Sequence, residues 1–181
     1  NAIELLPVME FEGNESWGYN TAFHMALDKY YGNTTAFKQL VDECHARGIA
    51  VIVDVAFNHA SGQHPYYRMY NTDNGGYGGQ ASAESPFFNQ AATHSYSVFN
   101  DFNHSKQATK DYVKRFIKLE KEKNSSIIEI HNRPTYVKIL SSEFNKKIIS
   151  LYFHNDPISM IGSKSPIERK QLLTIHICFP Y

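Results

Sequence analysis

Three polar side chains close an otherwise apolar run: Asp54, Asn58 and His59 stand in Ile49-Ala-Val-Ile-Val-Asp-Val-Ala-Phe-Asn-His59. A carboxylate, an amide and an imidazole so close together offer an acceptor, a hard oxygen and a ring that exchanges protons near neutral pH. Such a set is a candidate functional cluster. It can also be ordinary, because an isolated Asp near a strand end often caps a helix or sits as a satisfied polar group in a core. The chain has 12 Tyr and 12 Phe, and much of the Tyr lies in loop-like sequence, where an amphipathic ring can face a sugar.

The elements that must position these groups can be read around them. Seven of the eight residues Ile49 to Ala56 are Ala, Val or Ile, which suits a strand buried on both faces of a parallel sheet. Asp54 inside that strand needs a partner. Asn58 and His59 follow where the strand opens into a loop, the functional edge of α/β barrels. Upstream, Ala2 to Val8 reads as a short strand ended by Pro7, and Phe11 to Asn33 reads as loop, punctuated by Gly13, Gly18 and Gly32. Thr34 is placed to cap a helix carrying Phe37, Leu40, Val41 and Cys44 on one face, closed by Gly48. Strand, helix and strand make one βαβ unit, hence a parallel sheet with a right-handed crossover.

After His59 about 45 residues pass before the next helical pattern, far beyond a normal βα connection of about 2–6 residues. Within them, Asp73-Asn-Gly-Gly-Tyr-Gly-Gly79 lacks the Gly-Lys-Ser/Thr ending of a phosphate loop and reads as turn chemistry. Ser105 is placed to cap a second helix with Tyr112, Val113, Phe116 and Ile117 along one face.

Asp54-Val-Ala-Phe-Asn58-His59 resembles the first signature of the alpha-amylase family, glycoside hydrolase family 13, written D-V-V-x-N-H, with Ala56 at its second Val. Pro7-Val8, Trp17-Gly18-Tyr19-Asn20 and Asp28-Lys-Tyr-Tyr-Gly32 add a second match in the family's order and spacing. The resemblance covers about residues 1–115. It implies an α/β fold: a partial (β/α)8 TIM barrel with a long domain-B-like insertion after the third strand. Residues 1–59 would be partial barrel, 60–104 the insertion, 105–120 a barrel helix and 121–181 an atypical tail. The 181 residues fall short of the roughly 250 of a closed barrel.

The resemblance also implies roles. His59 would hydrogen-bond sugar hydroxyls and Tyr19 would stack on the same ring, with Trp17 as a further substrate contact where many relatives carry His. Asn58 matches a ligand of Ca²⁺, which prefers such oxygens, the rest coming from the insertion and later loops. Asp54 would support the active site by pairing with an Arg two positions before the nucleophile, and that Arg is absent, so Asp54 must find another donor. Retaining glycosidases use two carboxylates about 5–5.5 Å apart. The family's nucleophile, acid/base and stabilising motifs do not occur here, so no catalytic residue is assigned; Glu129, Glu143, Asp156 and Glu168 read as solvated acids.

The bulk numbers narrow the partners. Lys+Arg and Asp+Glu number 18 each, for a net charge of +0, so no basic stripe invites nucleic acid. No run of about 18 apolar residues suggests a membrane span. Cys44 and Cys178 cannot frame a disulfide scaffold, and Cys44 on its apolar helix face reads as a core residue. The chain starts at Asn1 with no leader, so its location is not readable; a full-length relative would suit a secreted or periplasmic setting. Residues 1–120 hold 13 Ala and 4 Ile, residues 121–181 no Ala and 11 Ile, and the charge turns from 9 basic against 13 acidic to 9 against 5. From about Phe116 the chain is expected to be out of frame or wrongly spliced, with Ile127 to Ile130 and Lys147 to Phe153 as short strands.

The expectation is therefore a fragment of a retaining hydrolase of α-1,4-glucans such as starch or glycogen, catalytically silent by itself. The alternatives are a non-catalytic glucan- or calcium-binding remnant, and an unrelated α/β binding protein that shares the motifs by accident.

Overall fold

The computed structural model describes residues 1–94, 97–119, 127–131, 148–152 and 174–179. Strand β1 (Ala2–Leu5) pairs in parallel with β4 (Ala50–Ala56), from Ala2 opposite Ala50 to Leu5 opposite Val53, and helix α1 (Thr34–Ala46) lies between them in sequence. This is the expected βαβ unit. Asn33 caps α1 in place of Thr34: its extended backbone stands just outside the helix, and its side-chain oxygen accepts from the Ala36 N–H, the third of the helix, at 2.9 Å. Val41 is buried and Phe37 packs on the core, but Leu40 is exposed and Cys44 is a half-buried free thiol rather than a core residue.

Between β1 and α1 the segment that reads as loop folds instead into an antiparallel hairpin, β2 (Met9–Phe11) with β3 (Thr21–Leu27). Two of the glycines that suggest a loop, Gly13 and Gly18, lie in its turn, and Gly32 lies between β3 and α1. There the Glu12 N–H donates to the Asn20 carbonyl at 3.1 Å, and Asn20 Nδ2 returns a bond to the Glu12 carbonyl at 2.7 Å. Asp28 closes the hairpin, accepting from the Tyr30 N–H at 2.8 Å.

Strand β4 is buried on nearly every residue. Val53 and Val55, with Phe57 beyond the strand, share a core with Met9, with Tyr67, Ala81, Phe88 and Phe102 of the 60–104 segment, and with Tyr112, Val113, Phe116 and Ile117 of α3 (Gln107–Leu119). Side chains alternate across a strand, so Asp54 falls on the face opposite this core. α3 buries the apolar face read from its spacing and ends at Leu119, within the 105–120 helix expected there. Ser105 is not its cap: its N–H and hydroxyl both bond Asn103 Oδ1, at 3.0 and 2.5 Å, which turns the chain two residues before the helix.

Two-residue strands β5 (His59–Ala60) and β6 (Asn100–Asp101) pair antiparallel and close the base of the 60–104 segment, whose short helix α2 (Pro65–Met69) is capped by the His64 ring. The Asp73 to Gly79 run is a self-tied turn, with Gly78 N–H donating to Asp73 Oδ2 at 3.1 Å and the Asn71 side chain bonding Gly75 and Gly76. Strands β7 (Ile127–His131), β8 (Ile148–Tyr152) and β9 (Thr174–Phe179) extend the β1/β4 sheet in the order β1-β4-β9-β7-β8. β9 runs antiparallel to β4, with Val51 opposite Phe179 and Ala56 opposite Thr174. The sheet is therefore mixed, not all-parallel. An open edge of a buried strand needs hydrogen-bond partners and accepts a strand of either direction. Glu143, Asp156 and Glu168 lie outside the described residues.

Candidate functional site

Tyr19 is the centre of the site. It follows the hairpin turn at Gly18, whose φ of 90° is left-handed and whose missing Cβ would stand 2.3 Å from the Pro7 carbonyl oxygen. Only glycine lets the turn lie on Pro7 in this way, and this brings Tyr19 over the end of β4. There the Tyr19 hydroxyl donates to Asp54 Oδ2 at 2.5 Å, and the Tyr19 carbonyl accepts from His59 Nε2–H at 2.7 Å. The residue is thus clamped at both ends by two members of the Asp54 to His59 motif. Burial, followed by the bond to Asp54, holds the Tyr19 hydroxyl well above its usual pKa, so it stays a donor across the physiological range. Asp54, expected to lack its customary Arg, has the Tyr19 hydroxyl instead.

A carbonyl can only accept, so His59 carries its proton on Nε2 and its Nδ1 accepts from Asn58 Nδ2, 3.3 Å away. Both ring nitrogens are committed within the protein. His59 therefore orients Tyr19 here, and a sugar hydroxyl would have to replace the Tyr19 carbonyl to reach Nε2. Burial pushes the His59 imidazole below its ordinary pKa, while the Tyr19 bond and the charge of Asp101 oppose that shift. Trp17 stands 76% exposed two residues before Tyr19, on the turn and outside the clamp.

Asn58 is wholly buried, and its Oδ1 has no hydrogen-bond partner among the described residues. Sequence reasoning missed its neighbours. His94 Nε2 stands 3.4 Å from Asn58 Nδ2 and 3.3 Å from Asp101 Oδ1, while Asp101 Oδ2 accepts from Asn89 Nδ2 at 2.7 Å and from the Thr93 N–H and hydroxyl at 3.3 Å. One signal was present: Phe-Asn-His occurs twice, at Phe57 to His59 and at Phe102 to His104, and Asp101 precedes the second copy. For calcium, the donor chemistry fits in part. Asn58 Oδ1 is the kind of orphaned hard oxygen a cation relieves and Asp101 is a buried carboxylate nearby, but among the described residues no three His, Cys, Asp or Glu converge as a metal site, and Ca²⁺ takes about 6–8 oxygens.

Behind the site lies a second polar chain that the sequence did not disclose. The Tyr66 N–H donates to His64 Nδ1 at 3.2 Å, so His64 Nε2–H donates to the Tyr112 hydroxyl at 3.2 Å; that hydroxyl donates to His24 Nδ1 at 3.3 Å, and His24 Nε2–H donates to the Ala56 carbonyl at 2.9 Å. Every proton is placed by the one before it, and the chain joins α2, α3, β3 and β4 in one enclosed network.

The family profile described as "Alpha amylase, catalytic domain" matches residues 1–125. The chain belongs to the alpha-amylase family. Among characterised members, it is 47% identical over 66 residues to malto-oligosyltrehalose trehalohydrolase of Arthrobacter ramosus, a stretch covering 35% of this chain and 12% of that protein. It is 48% identical over 52 residues to the 1,4-alpha-glucan branching enzyme of Nitrosomonas eutropha, covering 29% and 7%. These alignments span only a small part of either relative. Solved alpha-amylase-type structures share the fold: maltogenic amylase from S. marinus at TM-score 0.58 and 15% identity, over 86% of this chain and 29% of that one, and Bacillus licheniformis trehalose-6-phosphate hydrolase at TM-score 0.57 and 20% identity, over 93% and 40%. The alpha-amylase profile ends ten residues beyond the reach of the sequence resemblance. Among the described residues no helix is long and apolar enough to cross a membrane.

Proposed function

We propose that this alpha-amylase-family chain carries the sugar-positioning edge of a retaining glycoside hydrolase for α-1,4-linked glucans. The observation that supports this most is Tyr19, an aromatic ring fixed at its hydroxyl by Asp54 and at its carbonyl by His59. A platform immobilised before binding loses little entropy when a pyranose stacks on it. In a complete site the two carboxylates of the retaining mechanism would act across the bond that this edge holds in place. Their motifs are absent from this sequence, and we infer that the chain alone binds glucan without cleaving it. Trp17 would add an outer contact.

Residues 60–104 would serve as the domain-B-like wall of the cleft. Asn58 Oδ1 and the Asp101 carboxylate would hold a Ca²⁺ between that wall and β4, with main-chain oxygens and water completing the shell; the ion would fix the segment in place and take no part in bond cleavage.

Affinity electrophoresis of the purified chain in glycogen gels, together with a reducing-sugar assay on soluble starch, tests the reading. Retardation without sugar release is the expected result. Unretarded migration would overturn the glucan reading, and sugar release would overturn the silence of the chain.

A further inference from the structure

Phe99 is held where a purely structural phenylalanine has no reason to be. Its φ is 50°, in the left-handed region that bulky residues avoid, and the residue is 52% exposed. The aromatics that build the core of the 60–104 segment are different ones: Tyr67, Phe88 and Phe102 are each no more than 2% exposed, while the other exposed ring, Tyr77, lies under the Arg68 guanidinium on the far turn. The core is thus complete without Phe99. The strained residue immediately precedes β6, which is held on β5 by the pairings of Asp101 with His59 and Asn100 with Ala60, and by Asn100 Nδ2 donating to the Ala60 carbonyl at 3.1 Å. That anchor sets the ring 5.4 Å from the His59 imidazole, inclined at 33°. A costly backbone conformation imposed by its surroundings, combined with an apolar ring left in water beside a site residue, is the pattern of a ligand contact rather than of a fold contact.

We propose that Phe99 is a second sugar platform: its ring meets the apolar C–H face of the glucose unit next to the one that Tyr19 holds. This rests on the glucan reading above and adds to it a ligand of at least two linked glucose units, gripped from both sides of His59. Tyr19 comes from the β2–β3 hairpin and Phe99 from the 60–104 segment, so the pair selects chain over single sugar.

The test compares the full chain with Phe99→Asn and Phe99→Tyr in glycogen gels and by titration with maltoheptaose and with glucose, alongside thermal melting. Asn tolerates left-handed φ, so it removes the ring without straining the backbone. The proposal expects Phe99→Asn to melt no lower than the parent, to bind glycogen and maltoheptaose about fivefold or more weakly, and to leave glucose binding unchanged, while Phe99→Tyr retains affinity. Equal retardation of parent and Phe99→Asn overturns the second platform and leaves the glucan reading standing. A parent that is not retarded overturns both. A Phe99→Asn melt well below the parent shows the ring to be a packing element and overturns the platform.

Discussion

Lowering the pH from 7 to 5 is expected to cost the folded chain about 4 kcal/mol through two buried histidines. Burial takes His24 from 6.5 down to about 4 and His64 from 6.5 down to about 2, with charge repulsion between the two adding to the shift of His64. The hydrogen-bond order gives the mechanism. His64 Nδ1 already receives the Tyr66 N–H and His24 Nδ1 the Tyr112 hydroxyl, so a second ring proton would meet a donor head-on. A histidine whose pKa is lower folded than unfolded binds fewer protons in the native state. Stability is therefore intact above about pH 6.5 and falls as the pH drops through that value. At pH 5 an unfolded histidine is almost fully protonated, while folded His24 is about one-tenth protonated and His64 not at all. Integrating that difference from pH 7 gives about 2 kcal/mol for each ring. Carboxylates titrate mostly below this window, and His59, lowered too, adds in the same direction. Urea unfolding followed by far-UV circular dichroism at the two pH values measures the loss, and histidine ring NMR shows whether His24 and His64 stay neutral in the folded chain at pH 5. Equal unfolding free energies at pH 7 and 5, or ring signals of the folded state that titrate near pH 6.5, would refute the reasoning.

Gly18→Ala should destabilise the chain by more than about 2 kcal/mol and weaken glucan retention, because the added methyl meets the Pro7 carbonyl and lifts Tyr19 from its clamp. Gly13→Ala is the control: it shares a left-handed φ of 87° but has open space around the new methyl, so only about 1 kcal/mol should be lost, with binding kept; equal losses in both variants would remove the steric argument. Saturating Ca²⁺, at about 100 times its dissociation constant, should add about 2.7 kcal/mol, read as a melting point several degrees above that in EGTA. Asn58→Ala should abolish the increment, and identical melts with and without Ca²⁺ would dismiss the cation.

Local patterns were legible because their causes are local. The apolar run at β4, the 3.6-residue stripe of α3 and the βαβ order each follow from side-chain periodicity, and the Asp54 to His59 motif carried the family with it. The β2–β3 hairpin was hidden because its glycines mark the turn and not the strands, whose short alternation becomes meaningful only when Thr21, Ala22 and His24 have a core to enter. The direction of β9 was not legible either: a sheet edge satisfies its backbone groups with a parallel or an antiparallel neighbour, and nothing in Thr174 to Phe179 states which.

The amino-acid order by itself therefore determined what kind of site this is, an Asp, an Asn and a His at the loop end of a buried strand, with an aromatic turn upstream. Only the tertiary structure decided what each group does there. Tyr19 and Asp54 are 35 residues apart and Tyr19 and His59 are 40 apart, and Phe99 joins His59 from a separate segment. Whether a buried hydroxyl, carboxylate or imidazole meets a ligand or another side chain depends on which distant donors the fold brings within about 3 Å, and that distance is a property of packing, not of spacing along the chain.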